Sequence, residues 1–116
     1  MPAADEPLLL TVGETRLEIA LVDREGAPLP VNDVDKARFV AAASLDDLET
    51  SPPSAVIDVR LGDGLALSTG LAVITTPADV PEGTYIAGLA LHTVARGWEH
   101  GPHRHLKVQR AVAQPY

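Results

Sequence analysis

Residues 75–91 read TTPADVPEGTYIAGLAL, a polar turn, a Pro-Glu-Gly corner, and then a long segment opening on Tyr85. Pro81 ends an element because its ring fixes φ and removes a donor. Gly83 lets the chain turn, and Tyr85 packs its ring while its hydroxyl stays near water. In the segment that follows, Tyr85, Ala87, Leu89 and Leu91 share one face. Ile86, Gly88, Ala90 and His92 share the other. A period of two sustained from 84 to 94 predicts a strand, and a corner of this kind launching it points to a small all-β domain.

The rest of the chain repeats the pattern in shorter pieces. Residues 8–12 form a first apolar run, ended by Gly13. In 15–22, Leu17, Ile19 and Leu21 point one way and Arg16, Glu18 and Ala20 the other, a half-buried strand. Asp23-Arg24-Glu25-Gly26 reads as a turn, and Pro28 and Pro30 predict an extended, unpaired path. Residues 35–44 hold good helix formers, but Phe39 and Val40 among small neighbours also fit a buried strand; the β character of the flanks favours the strand. Leu45-Asp46-Asp47-Leu48-Glu49 fits one helical turn capped by Ser44. In 55–61, Ile57, Val59 and Leu61 face inward and Asp58 and Arg60 outward. Gly62-Asp63-Gly64 reads as a tight hairpin turn. Residues 65–68 and 71–75 read as two short strands, or as one strand broken by Gly70. Residues 95–102 turn the chain, with Trp98 in that turn. A last strand runs over 103–112, with Leu106, Val108 and Val112 inward and Lys107 and Gln109 outward. Ten prolines and nine glycines in 116 residues are the turn supply such a fold needs.

About seven strands with regular turns predict an antiparallel two-sheet immunoglobulin-like sandwich over residues 8–113. Residues 1–7 read as an N-terminal arm and 114–116 as a tail. With no cysteine, no disulfide, thiolate metal site or cysteine nucleophile is expected. The N-terminal stretch has no basic residue and does not read as a secretory signal, and no apolar run approaches a membrane span. A soluble, cytoplasmically made protein without a membrane partner is the expectation.

Charge is uneven. Residues 1–58 hold twelve acids and four bases, and residues 59–116 four acids and five bases. This fits an acidic solubility surface, or an acidic face meeting a more basic one on the next copy of a ring. The net charge of −7 opposes nucleic-acid binding, and the thin basic stretch Arg96, Arg104, Lys107 and Arg110 has no stacking platform.

Four histidines lie close in sequence, His92, His100, His103 and His105, and His103 and His105 with His92 or His100 could make a three-nitrogen zinc or nickel site. His103 and His105 share a face about 7 Å apart. No carboxylate or cysteine completes a recognised spacing, so a solvated polar hairpin is the working expectation and no cofactor is assigned. Asp46-Asp47 and Asp33/Asp35 follow no calcium-loop spacing. No serine sits in a nucleophile elbow, and the glycines form no phosphate loop, so no catalytic residues are assigned. Trp98 reads either as a lid over the end of the sandwich or, with Arg96, His100 and Arg104, as an interface candidate, because tryptophan and arginine concentrate binding energy where they are exposed.

Four stretches resemble the immunoglobulin-like domain of phage baseplate and tail proteins, the upper-baseplate-protein N-terminal type. They are Gly13-Glu14-Thr15 leading into Leu17-Glu18-Ile19-Ala20-Leu21, the acidic turn Asp23-Arg24-Glu25-Gly26-Ala27-Pro28-Leu29, the stretch Thr76-Pro77-Ala78-Asp79 with Pro81-Glu82-Gly83-Thr84-Tyr85, and a final hairpin ending in Leu106-Lys107-Val108. The resemblance implies a non-enzymatic virion structural protein of the tail, baseplate or neck, assembled in a host cytoplasm. Its partners would be other phage structural proteins and further copies of itself in a homo-oligomer. The chain is poorer in aromatics than that family and lacks its host-binding extension. A stand-alone immunoglobulin-like module for carbohydrate or a cell-surface partner is the alternative. A histidine-based metal-binding protein, or a cupin-like enzyme using the same histidines, is a third.

Overall fold

The computed structural model describes residues 7–23, 25–49, 55–101 and 103–109. Nine strands and one short helix occur among them: β1 (Leu8–Thr11), β2 (Arg16–Ala20), β3 (Val34–Ala42), α1 (Leu45–Glu49), β4 (Ile57–Leu61), β5 (Gly64–Ser68), β6 (Leu71–Thr75), β7 (Gly83–Thr93), β8 (Gly97–His100) and β9 (Arg104–Gln109). The protein is all-β. The strands form one hydrogen-bonded sheet in the order β1-β9-β7-β3-β4-β5-β6-β2, with β8 beside β7. The sheet curls until β1 and β2 meet again, close to a barrel.

Alternation set most of this. Leu17 and Ile19 are buried while Arg16, Glu18 and Ala20 are exposed. On β3, Ala37, Phe39 and Ala41 turn into the core, and Phe39 is 1% exposed. Residues 34–42 are thus a strand despite their helix formers. β3 lies between β4 and β7, and burying both its faces overrides local propensity. Leu106, Val108, Ile57, Ile74, Tyr85 and Ala87 complete the centre. Ser44 caps α1, its Oγ accepting from Asp47 N–H at 3.2 Å.

Four expectations need correction. Nine strands replace about seven, and the ladder is not purely antiparallel, because β1 pairs parallel with β9 and β4 parallel with β5. Gly62-Asp63-Gly64 is therefore not a hairpin turn. It is a corner at which the chain steps sideways and continues in the same direction, with Arg60 N–H bonded to Asp63 and Gly62 N–H to Leu65. Gly64 makes this possible: its φ is +93°, and a Cβ there would sit 2.7 Å from Val59 Cγ1. The segment after Asp23 is paired, not free. Val22 bridges Pro28, and Leu29 bonds both Leu21 and Gly70. Finally, residues 97–100 form β8, so Trp98 lies on a strand instead of in a turn.

The Tyr85 hydroxyl also differs from expectation. It donates to the Pro81 carbonyl at 2.7 Å, closing the Pro-Glu-Gly corner on itself. This is the hydrogen bond back to upstream backbone seen at sandwich corners. The N-terminal arm apart from Pro7, the tail, and Val112 lie outside the described residues.

Candidate functional site

The end of β7 and the strand β8 build the most distinctive surface. β7 pairs with β9 through Gly83–Ala87 and with β8 through Ala90–Thr93, so β8 and β9 run end to end along one side of β7. The turn between β7 and β8 is fixed at Thr93, a buried residue whose Oγ1 accepts from Arg96 N–H at 3.1 Å. That turn carries Arg96 outward. Its guanidinium lies 3.1 Å from Glu99 Oε1 and 3.4 Å from Asp33 Oδ2.

Trp98 stands directly opposite His92 and is 47% exposed. The two rings meet edge-on, centroids 5.2 Å apart at 61°. His92 Nδ1 lies 2.6 Å from Asp35 Oδ1, so the imidazole is held from both sides. The His92 hydrogen bond, ahead of its charge, holds the Asp35 carboxyl below the usual carboxylate range against a smaller opposing effect of desolvation. Here the ring's packing neighbour is an indole. The arrangement makes a half-exposed aromatic surface in which the Trp98 ring packs on His92.

The pleat separates the four expected interface residues. Trp98 and His100 share the outer face with His92 and Ala90. Arg104 lies opposite Ala87 and turns to the inner face. Arg96 belongs to the connecting turn. Outer-face neighbours of the hairpin come from β3, where Lys36 is opposite His92 and Arg38 opposite Ala90.

The histidines are strung out, not gathered. His100 lies opposite Ala90, His103 packs over Gly88 and His105 lies opposite Ile86. These β7 positions are two residues apart, so the imidazoles form a row with a spacing of about 7 Å. Among the described residues no three histidine or carboxylate side chains converge on a point that could hold a metal ion.

Sequence reasoning missed a second feature. An apolar cleft of about 400 Å³ opens between β2 and the β7–β8 side of the sheet. Ile19, Leu21, Phe39, Ala87, Leu89 and Leu91 line it, and Glu99, His100 and Arg104 stand at its edge. Each aliphatic residue reads as ordinary core in the sequence. The signal that was present is Arg104 and Glu99 on inward-facing positions, where the alternation should have placed apolar side chains.

No protein-family model matches the sequence, and no curated protein does. Among solved structures, the crystal structure of CopC from Methylosinus trichosporium OB3b is similar in fold, with a TM-score of 0.51 and 10% identity, covering 95% of this chain and 89% of that one. At that identity the likeness is one of fold. It supports the all-β architecture and carries no chemistry across.

Proposed function

We propose that this chain is a non-enzymatic structural protein of a phage particle, from the tail, baseplate or neck, acting through protein contacts in a symmetric assembly. The observation that carries the contact-making part is the β8 edge. Trp98 is exposed yet packed edge-on against His92, and beside it Arg96 is paired with Glu99 and Asp33. A preordered aromatic and an arginine on one edge match the residues that dominate protein interfaces, and fixing them beforehand lowers the entropic cost of docking. Placement in a virion rests on the four sequence stretches that resemble the phage domain. The finer architecture belongs to the same reading. We read the sheet as bent at the β4–β5 corner, with β1, β9, β7, β3 and β4 as one layer and β5, β6 and β2 as the other in the manner of an immunoglobulin-like sandwich. The single continuous sheet is compatible with that reading.

The apolar cleft favours a second reading, a binding module. Its aliphatic walls suit an apolar partner better than a carbohydrate, which needs exposed aromatic platforms. Co-expression with the products of adjacent genes separates the two readings. The first expects a stoichiometric complex with a tail or head component. Trp98→Ala should weaken that complex about thirtyfold while circular dichroism shows an intact fold, the size expected when an interface tryptophan is truncated. Neighbouring genes of a secretion or sugar-utilisation cluster, with no virion component among them, would overturn the phage placement.

A further inference from the structure

The inner face of β7 changes character halfway along its length. Tyr85 and Ala87, level with β9, are buried, whereas Leu89 and Leu91, level with β8, are only partly buried. The position of β1 accounts for the change. It pairs with β9 over Leu106–Gln109 and meets β2 there, so the curled sheet is drawn shut over that half of β7. The half beside β8 holds the apolar cleft of about 400 Å³. Phe39 and Ala87, each 1% exposed, form its floor, and Ile19, Leu21, Leu89 and Leu91 form its walls. Eight strands follow one another around this sheet. A closed sheet of that size has an interior just wide enough for packed side chains or for one small ligand. Ligand sites favour the mouths of such barrels, where apolar walls meet a few polar groups at the rim.

We infer that this cleft binds one small, uncharged aliphatic molecule, its chain laid against Phe39 and the leucines and a single hydroxyl-like head at the rim. Volume sets the size. At about 30 Å³ for each water-sized group, the cleft holds about a dozen non-hydrogen atoms. The lining sets the chemistry. Floor and walls offer no hydrogen-bonding side chain, so a polar group placed deep in the cleft would lose its water without replacement. The polar side chains at the rim are Glu99, His100 and Arg104. One is a carboxylate, already 3.1 Å from the Arg96 guanidinium, and one is itself a guanidinium. A charged head of either sign would therefore meet a like charge as well as an opposite one, and would surrender hydration to do so. A hydroxyl both donates and accepts, so it suits a rim that carries both kinds of group.

The inference rests on the second reading, a binding module, and names its ligand class. The test titrates the full chain, methyl-labelled for NMR, with hexanol, octanol, decanol and dodecanol. Affinity should rise about fourfold with each methylene up to about decanol, then level off once the cleft is full. Methyl signals of Ile19, Leu21, Leu89 and Leu91 should shift, and those of the exposed Leu9 and Val94 should not. Decanoate and decylammonium should bind about tenfold more weakly than decanol, or worse. Leu89→Trp fills the cleft and should abolish decanol binding. Leu91→Ala shortens a wall and should move the plateau to dodecanol; a merely destabilised chain would bind every alcohol more weakly with the plateau unmoved. That second variant keeps the test decisive where Leu89→Trp does not fold. Affinity that climbs without a plateau, with shifts at Leu9 and Val94 as large as in the cleft, would overturn the inference. So would a charged head bound as tightly as decanol, or binding that needs residues 1–6 deleted, which would make that segment the occupant. The inference and the reading beneath it fail separately. If no alcohol binds but Leu89→Trp weakens a complex with the product of an adjacent gene, the small ligand is excluded and the module stands; if Leu89→Trp changes neither, both fall.

Discussion

At the scale of single residues, Tyr85 shows how much one polar atom can settle. Its ring is buried among the core side chains, and its hydroxyl reaches back four residues to the Pro81 carbonyl. The bond ties the loop before β7 to the strand it launches, so the corner is fixed by a side chain as well as by Gly83. Tyr85→Phe keeps the ring and deletes the bond. It should cost about 1 kcal/mol in urea unfolding, with the slope unchanged, because a part-buried hydrogen bond is deleted while the ring's packing is kept. No loss would mean that water takes the place of the hydroxyl. The Pro-Glu-Gly-Thr-Tyr stretch was legible in the sequence as a corner. The partner of the hydroxyl was not, because a sequence does not say which carbonyl the turn brings within reach. The same limit held at His92. Asp35 and Trp98 flank it in space from positions 57 residues before it and six after it.

At the scale of elements, strands with one wet face were readable and the joints between them were not. Alternation marked the inward residues of β2, β4, β7 and β9, because burial of one face leaves a period-two trace. The Gly62-Asp63-Gly64 corner and the short strand β8 that carries Trp98 left no such trace. A glycine-rich pair of turns looks alike whether the next strand returns antiparallel or steps sideways, and the difference lies in Gly64 packing against Val59. That packing makes a contrast between two glycines. Gly64 has φ +93° and no room for a methyl group; Gly26 has φ +84° and open space around it. Gly26→Ala should cost about 1 kcal/mol, the strain of a left-handed backbone alone. Gly64→Ala should cost about 2 kcal/mol or more, because overpacking against Val59 is added. Urea midpoints of the two variants, compared at equal slope, measure the difference. Equal midpoints would show that the corner yields to admit the methyl group. The cleft stayed hidden for a related reason. Its lining is made of residues that read as core, and only the curl of the sheet shows that they flank an opening.

At the scale of the whole molecule, the acidic balance of the chain meets a few well-placed cations. Asp58 lies beside Arg38 across β3 and β4, bonded at 2.6 and 2.9 Å, and Arg60 stands opposite Arg38 on the same outer face. The Arg38 hydrogen bonds, more than its charge, hold the Asp58 carboxyl below its ordinary 3.8, with desolvation opposing them. Asp35 is lowered likewise by His92. A carboxyl depressed in the folded chain gives up its proton at a pH where the unfolded chain still holds one. Between the depressed value and 3.8 the unfolded state binds more protons, so stability rises with pH across that window. The contribution is present above 3.8 and is lost as acidification carries the pH down through the folded value. Because the Arg38–Asp58 pair is about one-third exposed, water screens it, and its worth is about 0.5 kcal/mol instead of the full value of a buried pair. Asp58→Asn also leaves Arg38 and Arg60 facing one another, and like charges directly across a ladder repel. The variant should therefore be less stable than the parent by about 0.5–1 kcal/mol at pH 7. The gap should shrink as the pH falls below 3.8, since the parent's own Asp58 is then being neutralised. Urea unfolding of both chains at pH 7, 5 and 3 reads this directly. A gap that stays constant, or widens on acidification, would show that Asp58 acts through its shape and hydrogen bonds alone and that the charge on this face does not stabilise the fold.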